Sequence, residues 1–265
     1  MFDEKAYMAL FLEPILACKN YKPKFGDSQK ENGFSLDEFR NLYGSDPFYS
    51  WIGLDSPLMY SAHKAAGGMT SIYRQVGIGC EYLFRRILVD TAEYSNPEMA
   101  SWSYTAKSSS GKEKQLSLDG RLAFSDINNK GVHLQVKRWL SAYCKQIKAK
   151  VPKNGIVFEV RQGYKSKDSK RQNADIDNAT VAWANGFLPV FVIFSSQIDR
   201  DIVLRYRNNR CGILIGSSNL DESISLFAFC KNILGFNLAD FFQRNSRDIK
   251  RNVNEVLKVL LSPES

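Results

Sequence analysis

Histidine is almost missing from this chain. His63 and His133 are the only two, and neither stands near a GxSxG or other nucleophile motif. Ser-His-Asp and Cys-His chemistry therefore have no support. The five cysteines (Cys18, Cys80, Cys144, Cys211, Cys230) are scattered and odd in number, with no CxxC pair. That excludes a zinc cluster or disulfide framework and makes reduced thiols the expectation. Neither GxGxxG nor GxxxxGK[ST] occurs, so a nucleotide cofactor is not expected. No apolar run approaches the roughly 20 residues a membrane-spanning helix needs. The first residues, "MFDEKAYM", carry acids where a secretion signal carries cations, so a cytoplasmic location without membrane contact is expected.

Acids are also short of bases. Lys and Arg number 36 against 28 Asp and Glu, for a net charge of +8 and a pI near 9.1. Such an excess suits a polyanionic partner. A metal ion, if used, has to be held by oxygen ligands, which points to magnesium-like ions.

The length of 265 residues allows one elaborated domain with a sizeable core. A helix is expected over "SIYRQVGIGCEYLFRRILVDTAEY", where Ile72, Val76, Leu83, Phe84, Ile87 and Leu88 share a face. Gly67-Gly68 reads as a break before it and Thr70 or Ser71 as its cap. Gly77 and Gly79, costly in a helix, suggest close packing or close approach of a ligand. "SWSYTAK" and "KQLSLDGRLAF" read as an antiparallel hairpin. "GVHLQVKRWLSAYCKQIKAKV" alternates briefly but carries a longer helical stripe, so a helix is preferred. A strand "GIVFEV", a helix "DSKRQNADIDNATVAWANG" capped by Asp168 or Ser169, a buried strand "FLPVFVIFSS" and a short strand "CGILIG" follow. The fold class is then α/β: a central mixed sheet flanked by helices. The core covers about 70–200, with mainly helical additions at 1–69 and 201–265. Phe48, Tyr49, Trp51 and Tyr60 in the first addition read as core packing before base stacking.

The chemistry concentrates in two places. Asp119 interrupts an apolar alternating strand, where an ionised carboxylate is costly without a partner; taken alone, an exposed aspartate of a hairpin or an Asp-Gly turn is the plainer reading. Glu159 ends the strand "GIVFEV", and Arg161, two residues on, shares its face. If the two strands are neighbours, two carboxylates converge, and a divalent ion relieves their repulsion. Between Arg161 and Arg171 stand five cations (Arg161, Lys165, Lys167, Lys170, Arg171) and one acid, Asp168. Arg161 or Lys165 would orient water and stabilise charge. Lys167, Lys170, Arg171 and Gln172 open a helix whose N-terminus favours phosphate.

An Asp on a strand, a strand ending in Glu-x-Arg where Glu-x-Lys is usual, then a helix and a buried strand resemble the PD-(D/E)XK nuclease superfamily. Within it, the chain is most similar to type II restriction endonucleases over roughly Ser71–Ser196. The resemblance implies Asp119 and Glu159 as ligands of Mg²⁺, Arg161 in the lysine position, and Glu81 as a further acid. The plainer reading of Glu81 is a surface pair with Arg85. An alternative placement pairs Asp119 with Gln135 and Lys137 of "LQVKRW" across a hairpin. The implied function is Mg²⁺-dependent hydrolysis of phosphodiesters in double-stranded DNA at a specific short sequence, by a homodimer matching a two-fold-symmetric site. The alternatives are a non-enzymatic DNA-binding protein and a repair or structure-specific nuclease on the same core.

Overall fold

A computed structural model describes residues 2–26, 29–107, 113–164 and 169–263. The chain divides into two compact units, residues 1–7 with 80–243, and residues 8–79 with 244–265. In chain order the helices are α1 (Glu4–Leu16), α2 (Leu36–Gly44), α3 (Pro47–Trp51), α4 (Pro57–Ala92), α5 (Lys130–Gln146), α6 (Ser169–Ala184), α7 (Arg200–Asn208), α8 (Leu226–Asn232) and α9 (Leu238–Leu261). The strands are β1 (Trp102–Lys107), β2 (Glu113–Leu118), β3 (Gly120–Ala123), β4 (Gly155–Arg161), β5 (Phe187–Ile193) and β6 (Gly212–Ile215).

The larger unit is α/β. Its mixed four-stranded sheet has the order β3-β4-β5-β6, with β3 antiparallel to β4 and the rest parallel. Strands β4 and β5 are nearly continuous apolar runs because helices cover both of their faces. Phe158 turns to one side, its ring 5.1 Å from Phe84 of α4 and 6.2 Å from Phe229 of α8. On the other side Phe191 stacks on Tyr206 of α7 at 4.3 Å, in a cluster with Tyr164, Ala179, Ile193, Ile202 and Ile213. Glu159 and Arg161 belong to this second face, since they register with Phe191 and Ile193 of β5.

The expected hairpin forms, but its second strand is two strands. β1 and β2 pair from Trp102 opposite Leu118 to Lys107 opposite Glu113 as a separate two-stranded sheet. The chain then bends at Asp119 and enters the main sheet as β3. The continuous alternation of "QLSLDGRLA" concealed this change of partner, because both halves keep one apolar face.

The stretch with two readings is helix. Val132, Val136, Trp139, Leu140, Tyr143 and Cys144 form its buried stripe in α5. The alternative strand bearing Gln135 and Lys137 is thereby corrected: both are exposed residues of a helix, and no hairpin pairs them with Asp119. The expected break at Gly67-Gly68 is also overturned, since α4 runs without interruption from Pro57 to Ala92. Side chains of the smaller unit occupy the space the glycines leave. The Tyr21 ring reaches Gly67 and Leu260 packs onto Gly68, so tertiary contact outweighs weak local propensity.

In the smaller unit Ser35 and Glu38 form a reciprocal capping box at α2, and Asp46 caps α3 through the Phe48 and Tyr49 amides. Tyr60 is buried, as the core reading predicts. Phe48, Tyr49 and Trp51 are exposed, which overturns that reading for them. Among the described residues no helix is long and apolar enough to cross a membrane. All five cysteines are buried free thiols.

Candidate active site

Antiparallel register brings the two predicted carboxylates together. Gly120 stands opposite Phe158, so one step further on each strand sets Asp119 opposite Glu159. The bend at Asp119 turns its carboxylate back onto the neighbouring strand, where Oδ2 accepts a 2.7 Å hydrogen bond from the Val160 amide. Arg85 of α4 donates from Nε to the Asp119 carbonyl at 2.9 Å and fixes the bend from the other side.

Charge is crowded here. Burial, and then the negative charge of Glu81, raise the Asp119 pKa; the Val160 amide, Arg161 and Arg85 act against the rise. Burial, and then the charge of Asp119, raise the Glu159 pKa, with Arg161 and Arg171 opposing. Each carboxylate is therefore poorly solvated and repelled by a neighbour. Glu81 also makes the predicted pair with Arg85, Nη2 to Oε1 at 2.6 Å. The plainer reading of Glu81, a pair with Arg85, is the one observed, and the Glu81 charge also acts on Asp119.

Arg161 is the local counter-charge. Its Nη2 bonds Glu159 Oε1 at 2.6 Å and Asp175 Oδ1 at 2.9 Å. Burial opposes its ionisation, but Glu159 and Asp175 outweigh burial and raise its pKa. Its Nε is buried with no hydrogen-bond partner among the described residues, so one donor of the guanidinium fork is unspent.

Asp175 is the residue that sequence reasoning missed. It is 3% exposed and sits on α6. Oδ2 accepts from the Tyr206 hydroxyl at 2.6 Å and the Tyr164 hydroxyl at 3.1 Å, while Oδ1 holds Arg161. Burial, ahead of every other influence, raises both phenol pKa values, so both remain donors. A signal existed in the spacing of Gln172, Asp175, Ala179 and Ala182, which is the buried stripe of α6. The charged run "NADIDN" disguised it as a solvated face.

The remaining predicted residues separate. Lys170 and Arg171 are exposed on the first turn of α6, and the Arg171 guanidinium lies 6.0 Å from the Tyr164 ring centroid. Gln172 is buried instead, and its Oε1 accepts from Arg205 of α7 at 2.7 Å. Lys165 and Lys167, and the capping candidate Asp168, lie outside the described residues. Gln135 and Lys137 are on α5, where the Lys137 ammonium rests 5.2 Å from the Phe124 ring centroid.

The cluster sits where β4 reaches its carboxyl end and α6 begins, a place where parallel strands commonly present ligand-binding groups. Among the described residues no three His, Cys, Asp or Glu side chains gather as a metal cage. No protein-family model, curated protein or solved structure matches the chain significantly.

Proposed function

We propose that the protein is a magnesium-dependent endonuclease that hydrolyses double-stranded DNA at a short specific sequence, with a core of the PD-(D/E)XK restriction-endonuclease kind. One observation carries the reading: Asp119 and Glu159 face each other across an antiparallel register, both half-buried and each repelled by a neighbouring carboxylate. Such a pair favours either a proton or a cation. The donors are oxygens, and two carboxylates suit Mg²⁺, which keeps waters and takes substrate phosphate oxygens for its other positions. Asp119 and Glu159 would hold the ion, with Glu81 as a third acid nearby. Bound there, the ion supplies neutralisation of phosphate charge and a lowered pKa of water.

The protein's own residues supply the rest. Asp175, itself held by the two tyrosines, keeps the Arg161 guanidinium beside Glu159. Lys170 and Arg171 provide cations on the first turn of α6 for backbone phosphates, and Lys165 and Lys167 shortly precede them in the sequence. Gln172, tied to Arg205, supports this helix start and is a weaker candidate for contact with DNA. Cutting both strands requires two such centres and hence a homodimer. A cytoplasmic setting accords with five reduced thiols.

A second reading has one observation in its favour. Arg161 already joins both Glu159 and Asp175, as it would in a purely structural charge cluster of a DNA-binding protein. Plasmid incubated with Mg²⁺ or with EDTA separates the two. The nuclease yields discrete fragments with Mg²⁺ alone, and Asp119→Asn or Glu159→Gln lowers the rate by about 10³-fold or more while DNA binding persists. Intact plasmid under all conditions leaves the binding protein. Smeared or structure-dependent products identify a repair nuclease on the same core.

A further inference from the structure

The smaller unit exposes a run of large apolar side chains that the proposed chemistry does not use. Leu42, Phe48, Tyr49, Trp51, Ile52 and Leu58 are 44, 59, 37, 82, 53 and 79% exposed. All six fall between the last turns of α2 and the first turn of α4. The segment is ordered by specific bonds. Asp46 Oδ1 takes the Phe48 and Tyr49 amides at 2.9 and 3.2 Å, the Ser50 hydroxyl bonds Asp55 at 3.3 Å, and the Tyr49 ring stacks on Tyr43 at 5.0 Å. Six such side chains at these exposures present on the order of 700 Å² of surface. That sum is of the same order as the roughly 800 Å² each partner contributes to a standard interface.

Charge narrows the occupant. Between Arg40 and Lys64 there is no Lys or Arg, only Asp46 and Asp55, in a chain whose net charge is +8. A segment without cations supplies nothing to neutralise phosphates, so it favours neither DNA nor an anionic membrane. Both carboxylates are already bonded locally, so covering the patch strands no unpaired acid. An apolar face is complementary to itself, as an isologous contact requires.

We propose that this face, built on α3 with Leu42 and Leu58 beside it, is the surface through which two copies of this chain associate. The choice of a second copy over a foreign protein rests on the nuclease reading, because the described residues of one chain contain one Asp119–Glu159 pair and double-strand cleavage needs two. Trp51, the most exposed aromatic of the six, anchors the contact, with Phe48 and Leu58 beside it.

Sedimentation equilibrium of the full chain tests the proposal without reference to cleavage. The wild type is a dimer at micromolar concentration, and Trp51→Ser with Leu58→Glu raises its dissociation constant by about 100-fold or more. Both sites are exposed, so circular dichroism stays unchanged, and Tm falls only by the concentration-dependent amount that loss of the dimer entails. On supercoiled plasmid with Mg²⁺ the variant nicks one strand where the wild type linearises. A wild type that is monomeric at every concentration overturns the proposal and assigns the patch to a foreign protein. A variant that dimerises as well as the wild type overturns it too, placing any dimer contact elsewhere. A dimer that dissociates on substitution but cleaves nothing under any condition keeps this interface and removes the nuclease reading.

Discussion

At the scale of single residues, the site is a balance between two acids that repel and one arginine that is shared. Folding raises the proton affinity of Asp119 and Glu159 above that in the unfolded chain. The folded state then binds more protons than the unfolded one, so this contribution to stability is complete at acid pH and is lost as pH rises through the raised values. Tm of the wild type is expected to fall from mildly acid towards neutral pH, and Glu159→Gln to remove most of the slope. If Mg²⁺ binds the ionised pair, as the proposed function requires, its gain in Tm should grow with pH; a gain that shrinks instead would argue against ion binding at this pair. Asp175 invites a separate measurement. It is 3% exposed and satisfies a guanidinium and two phenols, so Asp175→Ala should cost about 2–4 kcal/mol in urea unfolding. The exposed neighbour Asp177 is the control, and Asp177→Ala should fall within about 0.5 kcal/mol of wild type.

Elements show what the sequence disclosed and what it withheld. Much of the larger unit follows from periodicity: most of the stripe of α5, the apolar run of β5, the strand that ends at Glu159 and Arg161; the short helix α7 does not. The strand change at Asp119 did not, since its signal is an absence of pairing beyond Leu118 rather than a residue type. Nor did the inward phase of α6, because Asp175 is buried only by virtue of what packs on it. Glycines in α4 illustrate the same limit. Both Gly77 and Gly79 suggest close approach, yet only one shows it. A Cβ at Gly79 would meet the Phe11 carbonyl oxygen, whereas one at Gly77 meets nothing within 4 Å. Gly77→Ala is therefore expected to stabilise by about 0.5–1 kcal/mol through helix propensity. Gly79→Ala should destabilise by about 1–3 kcal/mol through overpacking against backbone. Thermal or denaturant unfolding of the two variants checks both, and matching signs would contradict this account.

On the scale of the whole molecule, charge was legible from composition and its arrangement was not. The excess of eight positive charges predicts a polyanion, while the segment from residue 41 to residue 63 contains no Lys or Arg. Its apolar side chains read as core from the sequence because an exposed tryptophan and a buried one look alike in the chain. If nucleic acid is the partner, binding should weaken by about 10–10³-fold between 50 and 200 mM NaCl, as a few phosphate contacts dictate. Titration of fluorescent duplex at both salts measures it, and salt-independent binding would exclude a backbone-dominated contact.

The bend at Asp119 has a consequence for how such a chain can change over time. A residue lost or gained between Leu118 and Gly120 would slip β3 against β4 and turn alternate side chains to the wrong face, parting the two acids at once. Added length in the segment that joins β1 to β2 leaves that ladder in step. The hairpin is thus free to lengthen or shorten, while the junction behind it has to keep count.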